Sequence, residues 1–163
     1  LLLRFVEDAF TDSYIYTMHG VDSKTRILEV SGKTIELDVW DLSGKKMYRK
    51  NTVPCFAGAD AIVVAYDVLN KDPLERVKEW IAHSKQYAAN ALIFLVGCKN
   101  DRETERTVSF DTMRNFAEEK DLLIIETSAK ENVNVDEAFK MITCAVCGLP
   151  NPLLKPAQSA MTA

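Results

Sequence analysis

The sequence predicts an α/β fold with a mostly parallel sheet and one antiparallel edge strand. Three segments, 61–66, 92–96 and 122–125, are apolar at both odd and even positions, which is the pattern of strands covered on both faces. Segments with helical spacing separate them, so strands and helices alternate along the chain. Earlier, residues 26–30 and 34–40 flank a Ser-Gly pair and predict a hairpin that supplies the antiparallel edge strand.

The helices are predicted from apolar periodicity and from residues that favour helix ends. Residues 1–8 have the apolar face expected of the last turns of a helix, and 46–51 fit a short helix. Asp72 and Asn134, each followed by Glu three residues later, predict two starts stabilised by capping side chains. Ser109 predicts the start of the helix between them.

Composition limits the class of protein. A chain of 163 residues with 47% hydrophobic and 27% charged residues fits one globular domain. A net charge of −4 argues against nucleic acid as the main partner, and four scattered cysteines do not fit a secreted disulfide scaffold. No apolar run approaches the roughly 18–20 residues of a membrane span. We therefore predict a cytoplasmic domain over 1–147, followed by a flexible C-terminal tail over 148–163 with three prolines and no periodicity.

Three predicted strands end in polar residues, in the segments 41–44, 98–101 and 127–130. Ligands of α/β sheets lie outside the carboxyl ends of the strands, so these segments predict one binding site. At the first strand end, the Asp41 carboxylate can face Mg²⁺. The Gly44 N–H can approach a phosphate because no side chain intervenes.

The other two strand ends favour guanine. The Asp101 carboxylate can accept hydrogen bonds from the ring N–H and the amino group of guanine, whereas adenine would present an acceptor to it. The stem of Lys99 can lie along the purine face. Backbone N–H groups of Ser128, Ala129 and Lys130 suit the guanine carbonyl oxygen. Each set alone also fits a solvated loop, but their combination and order favour guanine.

These motifs closely resemble the Rab branch of the Ras-like small GTPases, over residues 1–147. Segments 127–130 (Thr-Ser-Ala-Lys), 95–101 (ending Cys-Lys-Asn-Asp) and 40–44 (Trp-Asp-Leu-Ser-Gly) resemble three nucleotide-binding motifs of that family. The resemblance implies a P-loop-NTPase-like fold and a GTP hydrolase that binds GTP/GDP and Mg²⁺. It assigns Mg²⁺ to Thr17 and Asp41, the γ-phosphate to Gly44, and guanine to the set Lys99, Asp101, Ser128, Ala129 and Lys130. Cys98 is a further cofactor-binding position by this resemblance.

The sequence also departs from that family. The expected first strand and its Gly-x-x-x-x-Gly-Lys-Ser/Thr loop are missing, and Gly32-Lys33-Thr34 lies in the hairpin and does not replace the loop. Lys45 occupies the position of the family's water-positioning glutamine, and Cys98 replaces an asparagine. We therefore expect impaired nucleotide binding and hydrolysis. We also expect a fragment of a longer gene product that is unstable alone, because the missing strand belongs between 34–40 and 61–66.

Two functions remain open at this point. The first is a GTP/GDP-binding switch in vesicle trafficking, located in the cytoplasm at the periphery of endomembranes. Its partners by resemblance are effectors, exchange factors and GTPase-activating proteins, and the sequence has no prenylation motif for direct membrane attachment. The alternative is a nucleotide-free pseudo-GTPase interaction module or a non-functional fragment.

The remaining candidates are interpreted as structural. Cys144 and Cys147 have a metal-like spacing but no second pair, so helix packing is expected. We expect the two histidines, His19 and His83, at the surface. The two tryptophans, Trp40 and Trp80, are predicted to lie in the core.

Overall fold

The computed structural model describes residues 1–13, 17 and 20–151. Its elements follow the order α1 (Leu2–Glu7), β1 (Val21–Val30), β2 (Lys33–Leu42), α2 (Arg49–Thr52), β3 (Ala61–Asp67), α3 (Pro73–Tyr87), β4 (Leu92–Cys98), α4 (Phe110–Glu119), β5 (Leu123–Thr127) and α5 (Val135–Val146). Short 3-10 turns cover Lys46–Tyr48, Val53–Phe56 and Glu103–Glu105. The predicted α/β fold class is confirmed.

The strands form two sheets. β3, β4 and β5 form a parallel sheet, in that order. β1 and β2 form an antiparallel hairpin around Ser31 and Gly32, whose φ values of 51° and 73° suit a tight hairpin turn. We predicted one sheet with the hairpin at its edge, and this detail differs. Within the described residues no strand pairs with both β2 and β3: β2 pairs with β1, and β3 pairs with β4.

Helix α5 connects the two sheets through packing. Phe139 packs with Phe5 and Leu28 in the cluster under the hairpin, where the two phenyl rings stack with their centroids 3.6 Å apart. Met141 and Ile142 pack instead on Phe94 of the parallel sheet. Burial of one such apolar side chain contributes about 1.5–3 kcal/mol, so α5 substitutes hydrophobic contact for the missing backbone pairing. A third cluster lies between the parallel sheet and helices α3 and α4.

Strand alternation explains one wrong prediction. Trp40 was expected in the core but is 52% exposed. Ile35, Leu37 and Val39 face the cluster under the hairpin, so the period of two places the neighbouring Trp40 on the other face. Its indole N–H donates to the Asp38 carboxylate at 3.0 Å. Trp80 packs against the core as predicted.

Two predicted helix caps are also wrong in detail. Asp72 and Asn134 precede their helices as expected, but both have left-handed backbone, with φ of 52° and 57°, and neither side chain accepts a capping hydrogen bond. The Asn134 amide instead donates to the Glu126 carbonyl at 2.8 Å. The Ser109 prediction is confirmed, because its hydroxyl accepts from the Thr112 amide at 3.1 Å.

The other structural predictions have mixed outcomes. Cys144 is buried and Cys147 is exposed, and no cluster of metal-ligating side chains occurs within residues 1–13, 17 and 20–151. His19 and residues 152–163 of the predicted tail lie outside the described residues. At the start of that segment, Leu149 packs against the cluster under the hairpin. None of the described helices combines the length and apolarity needed to span a membrane.

His83 lies within an aromatic group between α3 and the 46–56 segment. Its ring makes edge contacts with Phe56, Trp80 and Tyr87 at centroid distances of 5.0–5.6 Å. Its Nε2 is buried and has no hydrogen-bond partner within the described part of the chain. Burial lowers the pKa of His83, and the nearby Arg49 guanidinium lowers it further.

We expect acid to destabilise the chain partly through His83. The unfolded chain holds the proton more tightly than the folded chain, so the contribution of His83 is complete above its unfolded pKa of about 6.5 and is lost as pH falls through the lower folded value. Urea unfolding should show that, as pH falls from about 7.5 to about 5, the free energy of unfolding declines less for His83→Gln than for the native chain. Parallel declines would contradict this role of His83.

Candidate functional site

The carboxyl ends of β4 and β5 bring two predicted guanine-binding residues into contact. The Ser128 hydroxyl donates to the Asp101 carboxylate, with Oγ 2.6 Å from Oδ1. The same Oγ accepts from the Glu131 amide at 3.0 Å, so the serine is held from two sides. The second Asp101 oxygen accepts no hydrogen bond from the described residues and remains able to accept from a ligand.

Backbone contacts hold the two loops together. The Asn100 amide donates to the Thr127 carbonyl at 3.1 Å, and the buried Thr127 hydroxyl donates to the Gly97 carbonyl at 2.9 Å. Lys99 has a positive φ of 68°, which reverses the chain just beyond β4. Residues 98–101 and 127–130 therefore form one structural unit.

Lys99 is held by an acid that the sequence reasoning missed. Its Nζ lies 2.6 Å from the Asp67 carboxylate, at the carboxyl end of β3. The lysine side chain is 53% exposed, so the pair contributes little stability but restricts the direction of the lysine stem. Asp67 could have been predicted, because it follows a buried strand as Asp41 does.

The 128–130 loop has two open amides and two occupied carbonyls. The Ser128 amide donates to the Val133 carbonyl at 3.0 Å, so it is used within the loop. Within the described residues, the amides of Ala129 and Lys130 have no acceptor. Their carbonyls accept from the Arg4 guanidinium at 2.7 and 3.3 Å. No local pattern in the sequence indicated Arg4, since it acts 125 residues away from Ala129.

The two predicted metal ligands also lie together. The Thr17 hydroxyl is 3.5 Å from the Asp41 carboxylate, at the long limit of a hydrogen bond. Although Asp41 is exposed by surface area, surrounding protein desolvates its carboxyl and raises its pKa, and Thr17 opposes this shift. Two neighbouring oxygen ligands fit Mg²⁺, which usually takes few protein ligands and completes its shell with water and phosphate.

Gly44 lines a small cavity of about 150 Å³ that also reaches Asp67, Tyr66 and Trp80. Asp67 also binds Lys99, so the cavity lies between the residues that follow the hairpin and the residues that follow β4. A side chain at Gly44 would meet no atom within 4 Å, so its backbone is openly accessible.

The two departures from the family motifs occupy different positions. Lys45 is exposed and directly precedes the 3-10 turn Lys46–Tyr48. Cys98 is partly buried, with its thiol 4.0 Å from the Val96 carbonyl, and burial raises the pKa of that thiol. Cys98 therefore contributes a weakly polar thiol to the site and has no side-chain amide that could donate a hydrogen bond.

Comparisons with known proteins identify the family of this chain. The model of the Ras family matches residues 1–147. The Ras-related protein RABD2b of Arabidopsis thaliana is 44% identical over 147 residues, covering 90% of this chain and 72% of that protein. RABD1 of the same plant is 41% identical, covering 87% and 69%. The GTP-binding protein ypt2 of Schizosaccharomyces pombe is 44% identical, covering 85% and 70%. The chain belongs to the Ras family of small GTPases, and within it to the Rab branch.

Proposed function

We propose that this chain is a Rab-like molecular switch that recognises guanine nucleotides at the carboxyl ends of β4 and β5 and acts in vesicle trafficking. The Asp101–Ser128 contact is the observation that carries the proposal. It orients one carboxylate oxygen within the protein and leaves the other for a ligand. The names of the relatives, Rab-type and GTP-binding, support the same function.

The proposed guanine contacts follow from these orientations. The Asp101 carboxylate accepts from the base ring N–H and amino group, and the open amides of Ala129 and Lys130 donate to its carbonyl oxygen. Lys99, directed by Asp67, places its stem along the base. Adenine would present an acceptor to the Asp101 carboxylate and leave it without a donor where the base excludes water, which is costly.

The phosphate side of the site uses Thr17, Asp41 and Gly44. We assign Thr17 and Asp41 to Mg²⁺, Asp41 through water, and the Gly44 amide to the γ-phosphate. Mg²⁺ would neutralise phosphate charge when bound.

The sequence contains no Gly-x-x-x-x-Gly-Lys-Ser/Thr loop. The four or five charged hydrogen bonds of such a loop come to about 6–15 kcal/mol. This rivals about 12 kcal/mol for nanomolar affinity, so we propose weak binding.

The alternative function is a nucleotide-free interaction module that keeps the outer surface of a Rab. Lys45, at the position of the family's water-positioning glutamine, favours it. In either case the partners are Rab-type effectors and regulators. Binding of a guanine nucleotide separates the two functions.

Base selectivity provides the main test. Calorimetric titration with Mg²⁺, up to millimolar nucleotide, should detect guanine but not adenine nucleotides. Asp101→Asn should reduce guanine affinity by about 10²–10⁴-fold, because two hydrogen bonds to a charged group contribute about 1.5–3 kcal/mol each. Xanthine should bind this variant better than guanine, since the amide can donate to the extra carbonyl. Asp121→Asn, at an exposed turn, is the matched control. Equal binding of guanine and adenine by the native chain would refute guanine recognition.

Hydrolysis is expected to be slow because of Lys45. A lysine ammonium can donate but cannot accept a hydrogen bond from the attacking water. Lys45→Gln should raise the single-turnover rate at saturating GTP by at least about tenfold. The neighbouring exposed Lys46→Gln should not change it. Equal rates for the native chain and Lys45→Gln would exclude Lys45 as the cause of slow hydrolysis.

A further inference from the structure

Glu126 is the centre of a buried polar network. Its carboxylate binds the Arg106 guanidinium with two parallel contacts, Nη1 to Oε1 at 2.8 Å and Nη2 to Oε2 at 2.6 Å. The Tyr66 hydroxyl donates to Oε1 at 3.1 Å. The side chains of Arg106 and Glu126 are only 11% and 9% exposed, the lowest pair of values among the ion pairs of the described residues. Burial beside Glu126 raises the pKa of Tyr66, so its hydroxyl stays protonated as a donor.

The three members of this network lie close in sequence to guanine-binding residues or to the acid that holds one of them. Glu126 lies two positions before Ser128, and Arg106 lies five positions after Asp101. Tyr66 directly precedes Asp67, which holds Lys99. The network therefore joins the supports of Ser128, Asp101 and Lys99 beneath the site.

The fold makes room for this network at Gly97. A Cβ atom there would lie 2.6 Å from the Glu126 Cγ and 2.8 Å from the Tyr66 hydroxyl oxygen. Real Cβ atoms do not approach so closely, so only glycine fits between the two side chains. The Gly97 carbonyl, in turn, accepts from the Thr127 hydroxyl. The same glycine thus contacts the network and the loop above it.

A buried ion pair is an inefficient source of stability, because desolvation of both charges offsets their attraction. Two parallel contacts between planar groups nevertheless fix the relative orientation of the guanidinium and the carboxylate. We propose that the Arg106–Glu126–Tyr66 network is a positioning device that holds the 98–101 and 127–130 loops in the geometry that accepts guanine. The guanine part of this proposal rests on the proposed function, whereas the ordering of the loops does not.

The test removes both charges together and measures loop order separately from stability. In the double variant Arg106→Met with Glu126→Leu, apolar side chains replace the buried pair. Glu103, which also pairs with Arg106, loses that partner but is exposed to water. Urea unfolding should remain close to that of the native chain. The amides of Asn100, Ser128 and Glu131, which report the loop hydrogen bonds, should exchange at least about tenfold faster with solvent. The β4 amide of Leu95 should keep its protection.

Controls separate this proposal from the proposed function. Arg114→Met with Asp111→Leu removes an exposed pair on α4 and should leave all these amides unchanged. Arg106→Lys with Glu126 unchanged keeps the positive charge. The loop amides of this variant should therefore lose less protection than those of the double variant. If the double variant shows native exchange at Asn100, Ser128 and Glu131, or loses protection equally at Leu95, the positioning proposal is wrong. If the loops loosen while the native chain binds no guanine nucleotide, the positioning role stands and the guanine proposal fails.

Discussion

Arg106→Met is expected to lower the free energy of unfolding by about 3–5 kcal/mol at neutral pH, because Glu126 would remain buried as an uncompensated charge. Urea unfolding measures this loss.

A matched control for this prediction is Arg114→Met. Arg114 pairs with the exposed Asp111 on the surface of α4, and such pairs contribute about 0–1 kcal/mol. A loss below about 1 kcal/mol for Arg106→Met would mean that water reaches Glu126 and that the network is not buried in solution.

Phe5→Ala is expected to cost about 3–5 kcal/mol. Phe5 is 1% exposed, its ring stacks on Phe139 of α5, and the Arg26 guanidinium lies 4.4 Å from its centroid. The substitution would open a cavity where α1, α5 and the hairpin meet. This contact region holds the hairpin to the rest of the chain, so its loss should also increase exchange of the β1 and β2 amides.

Phe10→Ala is the control for Phe5, since Phe10 is 41% exposed and its truncation should change stability by less than about 0.5 kcal/mol. Equal destabilisation by the two substitutions would show that the α1–α5 contact does not hold the hairpin in place. Unchanged hairpin exchange in Phe5→Ala would show the same.

The fold class and the loop contacts could be predicted because their signals are local. Buried strands such as Leu92–Cys98 have apolar residues at every position, and the polar residues that follow them mark the ligand edge. Ser109 was recognised as a cap because its acceptor role depends on a residue three positions away. Asp101 and Ser128 were predicted to lie at one edge because the carboxyl ends of neighbouring parallel strands lie together, and the structure places their side chains in contact.

By itself, the sequence determined the alternation of strands and helices, the hairpin and the polar residues at the ends of β2, β4 and β5. Only the tertiary structure decided that the sheets are separate, that Trp40 is exposed, and that Arg4 binds the Ala129 carbonyl. It also decided that Arg106 is buried against Glu126. The physical reason is range: periodicity and capping act over a few residues, whereas these contacts depend on how distant elements pack and on which charges remain shielded from water.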